Sequence, residues 1–368
     1  MIKYQILDPK KSDHYFIQLN NQKAKDAKKF NGFKAFNNKL YKSDFKLLDE
    51  LFDCKNIIFF SDSGSVIAAC THYKPNADLL AQDYFETLGN FLFADQISNE
   101  QLKNCGQTLQ KLFNTTKIIL PLNGSLNLGV YHNPNKGEKA SFLTTEYNQQ
   151  ITDFFSVNKD IFLNYRTSYA LTLELTFETI QQIKTELKNR NDAADFSTRA
   201  FSRLNPIKDL QIYSQLVNDS MIGHFMFFPI KWEIMKQLLL PLILFIVPKY
   251  FRFILKNNSE IGFVFAIPDY NEILSDRKSD MVNFFYALIN RRKITKARII
   301  YSCLQSGFQG QKLIKIARHQ VLIDLYNDGF TSVESSYVDE ENQKSISNVK
   351  STGAKIKQNF YLYKIQNL

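Results

Sequence analysis

A chain that runs through one order of elements twice, about half a chain apart, has few folds open to it. Each half must build a like unit with its own core. Residues Asn56 to Tyr73 read as a hairpin: Ile57, Ile58, Phe59 and Phe60 form an apolar run, Asp62-Ser63-Gly64-Ser65 a turn, and Val66 to Thr71 the return. Tyr250 to Leu255, the turn Lys256-Asn257-Asn258-Ser259 and the return Ile261 to Ile267 repeat this pattern, and Pro75 and Pro268 follow the two returns. A strand (Thr87 to Phe93), a helix (Asn99 to Phe113) and a strand (Lys117 to Pro121) follow the first hairpin. Ala297 to Leu304, Lys312 to Asn327 and Thr331 to Val338 follow the second in the same order. Leu313, Ile316, Ala317, Val321 and Leu325 keep helical spacing, and Gly329 sits where a C-terminal cap belongs.

With 368 residues the chain has room for both units. The expected fold class is α/β with mixed (α+β) sheets in two tandem domains. Phe177 to Arg190 predicts a helix with Ile180, Ile183 and Leu187 on one face, and the polar, aperiodic stretch Asn189 to Ala194 follows it. The boundary is therefore expected there, giving domains 1–190 and 191–368. Glu272 to Lys296 reads as an insertion carrying Arg291, Arg292, Lys293 and Lys296 beside Phe284, Phe285 and Tyr286. It is either a solvated face or an amphipathic basic helix at a site mouth or a membrane surface.

Lysine and arginine total 46 against 36 acidic residues, a formal charge of +10. Such a balance suits nucleic acid, membrane surfaces, a phosphate-rich cofactor or a plain basic surface. Lys23, Lys25, Lys28 and Lys29 are interleaved with Asp26 as on an ordinary helix face, and no nucleic-acid signature accompanies them, so no nucleic-acid partner is expected. The cysteines (Cys54, Cys70, Cys105, Cys303) and histidines (His14, His72, His132, His224, His319) are scattered without metal-ligand spacing, so no metal is expected. Reduced thiols in a cytoplasmic protein are the simplest reading. The first residues lack a signal-peptide stretch. The most apolar run, Leu238 to Val247, is broken by Pro241 and ended by Pro248, far short of the roughly 20 residues that span a bilayer.

Chemistry concentrates in Arg298 to Val321. A strand runs into Gln305-Ser306-Gly307-Phe308-Gln309-Gly310-Gln311-Lys312 and then a helix. A polar turn feeding a helix N-terminus suits a pyrophosphate, because unpaired N–H groups and the helix dipole face it. It is also a common strand-to-helix connection. Lys312 can add charge.

At these residues the chain resembles the GNAT superfamily of acyltransferases. That family places an Arg/Gln-Gly-x-Gly-x-Gly/Ala loop after the strand, and Gln309-Gly310-Gln311 matches its opening. Glu334 to Asn342 resembles the family's next strand and the Asn heading a further helix, Ser345 to Thr352 that helix, Gly353-Ala354 its end, and Phe360 to Tyr363 the closing strand. Further segments resemble a bacterial subgroup of large GNAT-like proteins: Phe201 to Pro206, Phe227-Phe228-Pro229-Ile230, Gly262 to Asn271, and Pro121 to Asn127. The resemblance implies two tandem acyl-CoA N-acyltransferase-like domains, with acetyl-CoA or another acyl-CoA as co-substrate and a small amine as acceptor. The first half lacks a recognisable phosphate loop and reads as a degenerate scaffold or substrate-side domain.

By the resemblance, the cofactor-binding residues are Cys303, Leu304, Gln309, Gly310, Gln311, Lys312, Leu313, Ile314 and Asn342. Backbone groups around Cys303 and Leu304 would polarise the thioester carbonyl. Glu334 is the candidate base, or else a surface carboxylate. Asn342 also suits a helix N-cap, and Cys303 suits a small core residue. The family's frequent general-acid tyrosine falls at Val349, with Tyr337 or Tyr363 as substitutes. Only 13 residues are glycine, against the roughly 7% usual in proteins, and Lys312 and Ile314 replace the loop's later small residues. Two readings follow: an N-acyltransferase acting by direct attack of the amine, or a catalytically reduced GNAT-like binding protein with a degraded loop.

Overall fold

The computed structural model describes residues 2–26, 51–76, 84–114, 117–123, 149–189, 196–274, 280–309 and 312–367. Gly310, Gln311, Lys28, Lys29, 124–127 and 190–195 lie outside the described residues. The chain divides into two compact units. Unit 1 is Met1–Thr167, Ser275–Asp280 and Asn359–Leu368; unit 2 is Ser168–Leu274 and Met281–Gln358.

Unit 1 contains β1 (Lys3–Leu7), α1 (Pro9–Asp26), β2 (Phe52–Phe60), β3 (Val66–Pro75), β4 (Glu86–Phe93), α2 (Asn99–Leu112), β5 (Ile118–Leu120), α3 (Gln149–Val157) and the first part of β6 (Phe162–Glu174). Its sheet runs β1-β2-β3-β4-β5, and the end of the last strand, β13 (Lys355–Ile365), lies beside β5. All neighbours are antiparallel except β4 and β5, which α2 joins by a crossover. Phe91, Phe93, Phe154, Phe155 and Phe162 form the centre of its core, with the Phe93 and Phe154 ring centroids 5.1 Å apart.

Unit 2 takes the rest of β6 and then α4 (Phe177–Lys188), β7 (Phe196–Ala200), α5 (Pro206–Met221), α6 (Trp232–Leu239), β8 (Phe251–Lys256) and β9 (Ser259–Pro268). It continues through α7 (Asp280–Asn290), β10 (Lys296–Leu304), α8 (Leu313–Asn327), β11 (Ser332–Ser335), β12 (Val338–Asp339) and α9 (Gln343–Lys350). The order β7-β8-β9-β10-β11-β6 repeats the first unit's plan: an antiparallel hairpin, a third antiparallel strand, then a helical crossover to a parallel strand. The duplicated order expected from sequence is present, and both sheets are mixed.

Local chemistry explains the repeated hairpin. Asn257 and Asn258 both take positive φ (48° and 62°), as a two-residue turn between right-twisted strands requires. On one face of unit 2, Phe251, Phe263 and Phe265 pack under Tyr213 of α5, with Phe253 against Phe251 and Phe263 and the Phe251 and Phe265 centroids 4.5 Å apart. Buried Asp209, in the first turn of α5, receives both Arg199 Nη atoms (2.8 and 2.9 Å) and the Ser202 N–H (2.7 Å). That network fixes α5 to β7.

Two boundaries differ from the sequence expectation. The change between units comes at Thr167/Ser168 rather than at 190/191. Helix α4 belongs with unit 2 because its Glu186 reaches Lys315 of α8 at 2.7 Å. A loss of periodicity marked a connection, whereas long strands carry the chain from one unit to the other. Thr331 to Val338 is also not one strand: β11 stops at Ser335 and β12 begins at Val338. No described helix is long and apolar enough to cross a membrane.

Gly262 marks where β9 and β10 lie too close for a side chain. A Cβ there would meet the Cys303 carbonyl oxygen at 2.5 Å and Leu304 Cδ1 at 2.8 Å. Gly262→Ala is expected to cost about 1–3 kcal/mol by overpacking, read as a lower midpoint in urea denaturation.

Candidate functional site

In unit 2 the only parallel pair among the described strands separates part-way along. Lys296, Ala297, Arg298 and Ile299 face Ser332, Val333, Glu334 and Ser335 in register, and the Ser336 N–H closes on the Ile299 carbonyl at 2.9 Å. Beyond that point β10 continues to Leu304, paired to β9 alone, with a bulge between Ile299 and Tyr301. Ser335 ends the neighbouring ladder on its other side: its hydroxyl, not a backbone carbonyl, accepts the Leu171 N–H at 2.9 Å. The chain then turns away, and β12 pairs with β6 at Tyr169 and Ser168. The result is a wedge with one row of β10 backbone groups facing it.

The antiparallel alternation tells which groups these are. The Gln305 N–H bonds to the Ile261 carbonyl at 2.9 Å, so Cys303, two residues earlier, also turns toward β9, and Ser302 and Leu304 turn toward the wedge. Of the two expected polarising residues, Leu304 is thus placed on the wedge by its backbone. Cys303 is not: its N–H faces β9, its thiol is buried 3.7 Å from the Leu216 carbonyl, and burial pushes that thiol up to about 12. It is a core residue.

A 3-10 turn, Ser306–Phe308, leads from β10 toward α8. Gln309 is exposed and its N–H closes this turn on the Ser306 carbonyl. Lys312 heads α8 in the left-handed conformation (φ 58°, ψ 11°), exposed, with no side-chain cap. Leu313 is buried and anchors the helix, while Ile314 is half-buried. Lys315 is committed to Glu186. Arg318 is buried in α8; desolvation lowers its pKa to about 10, and it donates to the Asn348 carbonyl in the last turn of α9 at 2.9 Å. Asn342 is the N-cap of α9, its Oδ1 accepting the Ser345 N–H at 3.1 Å, so that oxygen is already occupied by the helix.

Glu334 and Tyr337 come together around a residue that sequence reasoning missed. Arg298, 3% exposed, stands beside Glu334 in the parallel register with Nε 4.0 Å from Oε1, and its guanidinium carbon lies 5.4 Å from the centre of the Tyr337 ring. A second missed residue is Tyr301, on β10 just past the bulge. Its ring stacks near Phe263, its buried hydroxyl has no hydrogen-bond partner among the described residues, and burial holds its phenol far above the usual range. Arginine and tyrosine inside an otherwise apolar strand were the available signals. Tyr363 lies in unit 1, stacked on Phe155 at 4.6 Å, with burial raising its pKa to about 12. No described group of three or more His, Cys, Asp and Glu residues has the arrangement of a metal site.

The same place in unit 1 is built differently. Pairing of β4 with β5 ends near Thr87 and Ile119, and β4 is likewise bulged against β3, with Asn90 at φ 50°. Here the chain fills its own gap: the Leu122 N–H reaches the Leu88 carbonyl, and Asn123 Oδ1 accepts the Asn90 N–H, both at 2.9 Å. Gly89 leaves the room, since a Cβ there would meet Asn123 Oδ1 at 2.1 Å. The N-terminus of α2 is also closed, by a reciprocal box between Ser98 and Gln101.

No family model and no curated protein matches the chain. Among solved structures the chain is similar to GNAT N-acetyltransferases. A tandem GNAT protein from the clavulanic acid biosynthesis pathway shares 10% identity at a TM-score of 0.44, covering 100% of this chain and 99% of that one. A GNAT-family acetyltransferase from Colwellia psychrerythraea shares 9% at 0.46, covering 99% and 100%. A GCN5-related N-acetyltransferase from Sphaerobacter thermophilus shares 10% at 0.44, covering 84% and 79%.

Two stability measurements check this geometry. Lys312→Val is expected to lose about 1–2 kcal/mol, because a β-branched residue resists the left-handed region, while Lys312→Gly keeps or raises stability. Tyr301→Phe is expected to raise stability by about 1 kcal/mol by removing an unpaired buried hydroxyl. Thermal melts of the three variants report both.

Proposed function

We propose that unit 2 binds an acyl-CoA in the wedge between β10 and β11 and transfers the acyl group to a small amine. The observation that carries this reading is the contrast between the units: unit 2 has a parted strand pair beside a helix N-terminus without a side-chain cap, and unit 1 closes both features with its own residues. Ser302 and Leu304 offer backbone N–H groups to an acyl carbonyl, a donor arrangement suited to developing oxyanion charge. The first turn of α8 and Lys312 suit the phosphates. The motif order from Gln309 through Gly310 and Gln311 to Lys312 supports the same assignment.

In this reading the amine nitrogen attacks the thioester carbon and the carbon–sulfur bond breaks. The amine's surplus proton passes to Glu334, directly or through water, and the departing thiolate takes a proton from Tyr337. Both groups stand against Arg298 at the narrow end of the wedge. Four free cysteines suit a compartment that keeps thiols reduced, such as the cytoplasm.

A second reading, ligand binding without transfer, is favoured by one position. Val349 of α9 stands where the family often places its general acid, and its side chain carries no proton to give. Calorimetry with acetyl-CoA and longer acyl-CoAs tests the pair of readings. Binding of one acyl-CoA per chain is expected; absence of binding at sub-millimolar concentration removes the enzyme reading. Steady release of CoA with a panel of amines then separates transfer from mere binding. Lys312→Ala is expected to weaken acyl-CoA binding if its charge meets phosphate; tighter binding by Lys312→Gly would instead mark the side chain as an obstruction.

A further inference from the structure

Helix α7 has two unlike faces. Asn283 and Ala287 are fully buried, whereas Val282 is 50% exposed, Phe285 57% and Ile289 79%. Positions 282, 285 and 289 follow one stripe of a helix. The chain then enters the 3-10 turn Arg291–Lys293, whose three cations are all exposed. Arg292 and Lys293 lie three and four residues beyond Ile289, so they continue the stripe. Among the described residues, none of the three is in an ion pair. Glu272, an acid of the same segment, is taken by the N–H groups of Thr295 and Lys296 and the Thr295 hydroxyl. A second exposed apolar pair, Leu240 and Leu244, borders the same region. It is tied there by the Tyr270 hydroxyl, which donates to the Phe245 carbonyl at 3.2 Å, and Arg291 acts electrostatically on Tyr270.

We infer that this surface docks unit 2 on an anionic phospholipid bilayer, with Val282, Phe285 and Ile289 entering the headgroup boundary and Arg291, Arg292 and Lys293 meeting lipid phosphates. A contiguous patch of large exposed apolar side chains, unlike single ones, marks a protein or membrane contact. An apolar stripe ending in consecutive unpaired cations is the composition of an interfacial helix. The basic turn selects a negative surface, and the chain's charge of +10 adds a longer-range attraction of the same sign. A helix of this length, about 16 Å, lies along the surface and does not span it. The inference is independent of acyl transfer, since none of these residues belongs to the wedge.

Cosedimentation of the full chain with phosphatidylcholine vesicles, with and without phosphatidylglycerol, tests it. The protein is expected to pellet only with vesicles containing phosphatidylglycerol, and less at high salt. Each cation removed is expected to weaken partition about fivefold, so Arg292→Gln with Lys293→Gln should fall about 25-fold. Ile289→Asp is expected to abolish binding with its melting temperature unchanged, because the side chain is exposed. No pelleting with phosphatidylglycerol, pelleting indifferent to Ile289→Asp, or a concentration-dependent dimer in light scattering that Ile289→Asp dissociates would each overturn the inference.

Discussion

A central strand normally has both rows of its backbone groups paired, and a buried row without partners is costly. Strand β10 keeps its β9 row to the end and gives up its other row beyond Ile299. The surroundings are arranged around that single interruption. Ser335 replaces a ladder carbonyl with its hydroxyl, β12 draws the chain across to β6, and α8 starts where β10's turn ends. Something polar must answer Ser302 and Leu304, and water or a ligand carbonyl can do so. In unit 1 the same question has an internal answer, the side-chain amide of Asn123. An amide oxygen and a thioester oxygen are both acceptors, so the self-filled gap shows the kind of group that the bulged strand suits.

Glycine scarcity takes on a different meaning at α8. A lysine in place of a loop glycine suggests, from sequence, a Cβ that keeps a pyrophosphate at a distance. Lys312 nonetheless takes φ 58°, the conformation that makes glycine useful there. Lys312 holds this conformation at the expense of backbone strain of about 1 kcal/mol, and its side chain is exposed. Conformation and composition are therefore separable here. What the position requires is a left-handed residue, and a lysine supplies that together with a positive charge.

Much of the fold was legible because it is local. Both hairpins, α2, α8 and α9 follow from periodicity, turn residues and caps, and Asn342 in particular heads its helix as its residue type suggests. The site was legible only where a motif marked it. Glu334 and Tyr337 were singled out from sequence as candidates, whereas Arg298, which stands beside both, was not, because its position depends on parallel register between strands far apart in sequence. Nor could any local pattern show that Thr331 to Val338 breaks after Ser335, since the break depends on a hydrogen bond to Leu171. The compact units divide elsewhere than the loss of periodicity for a related reason. Loss of periodicity at 189–194 identifies a connection, while β6 and β13 carry the chain between units within continuous strands.

The buried position of Arg298 limits what Glu334 can do. A guanidinium with 3% exposure depends on nearby negative charge, and neutralising that charge leaves it poorly compensated at a cost of several kcal/mol. Tyr337 stands against the same guanidinium, its ring centre 5.4 Å from the guanidinium carbon. In the proposed transfer Glu334 is both counter-charge to Arg298 and acceptor of the amine proton, and relay of that proton through water lets it serve as both.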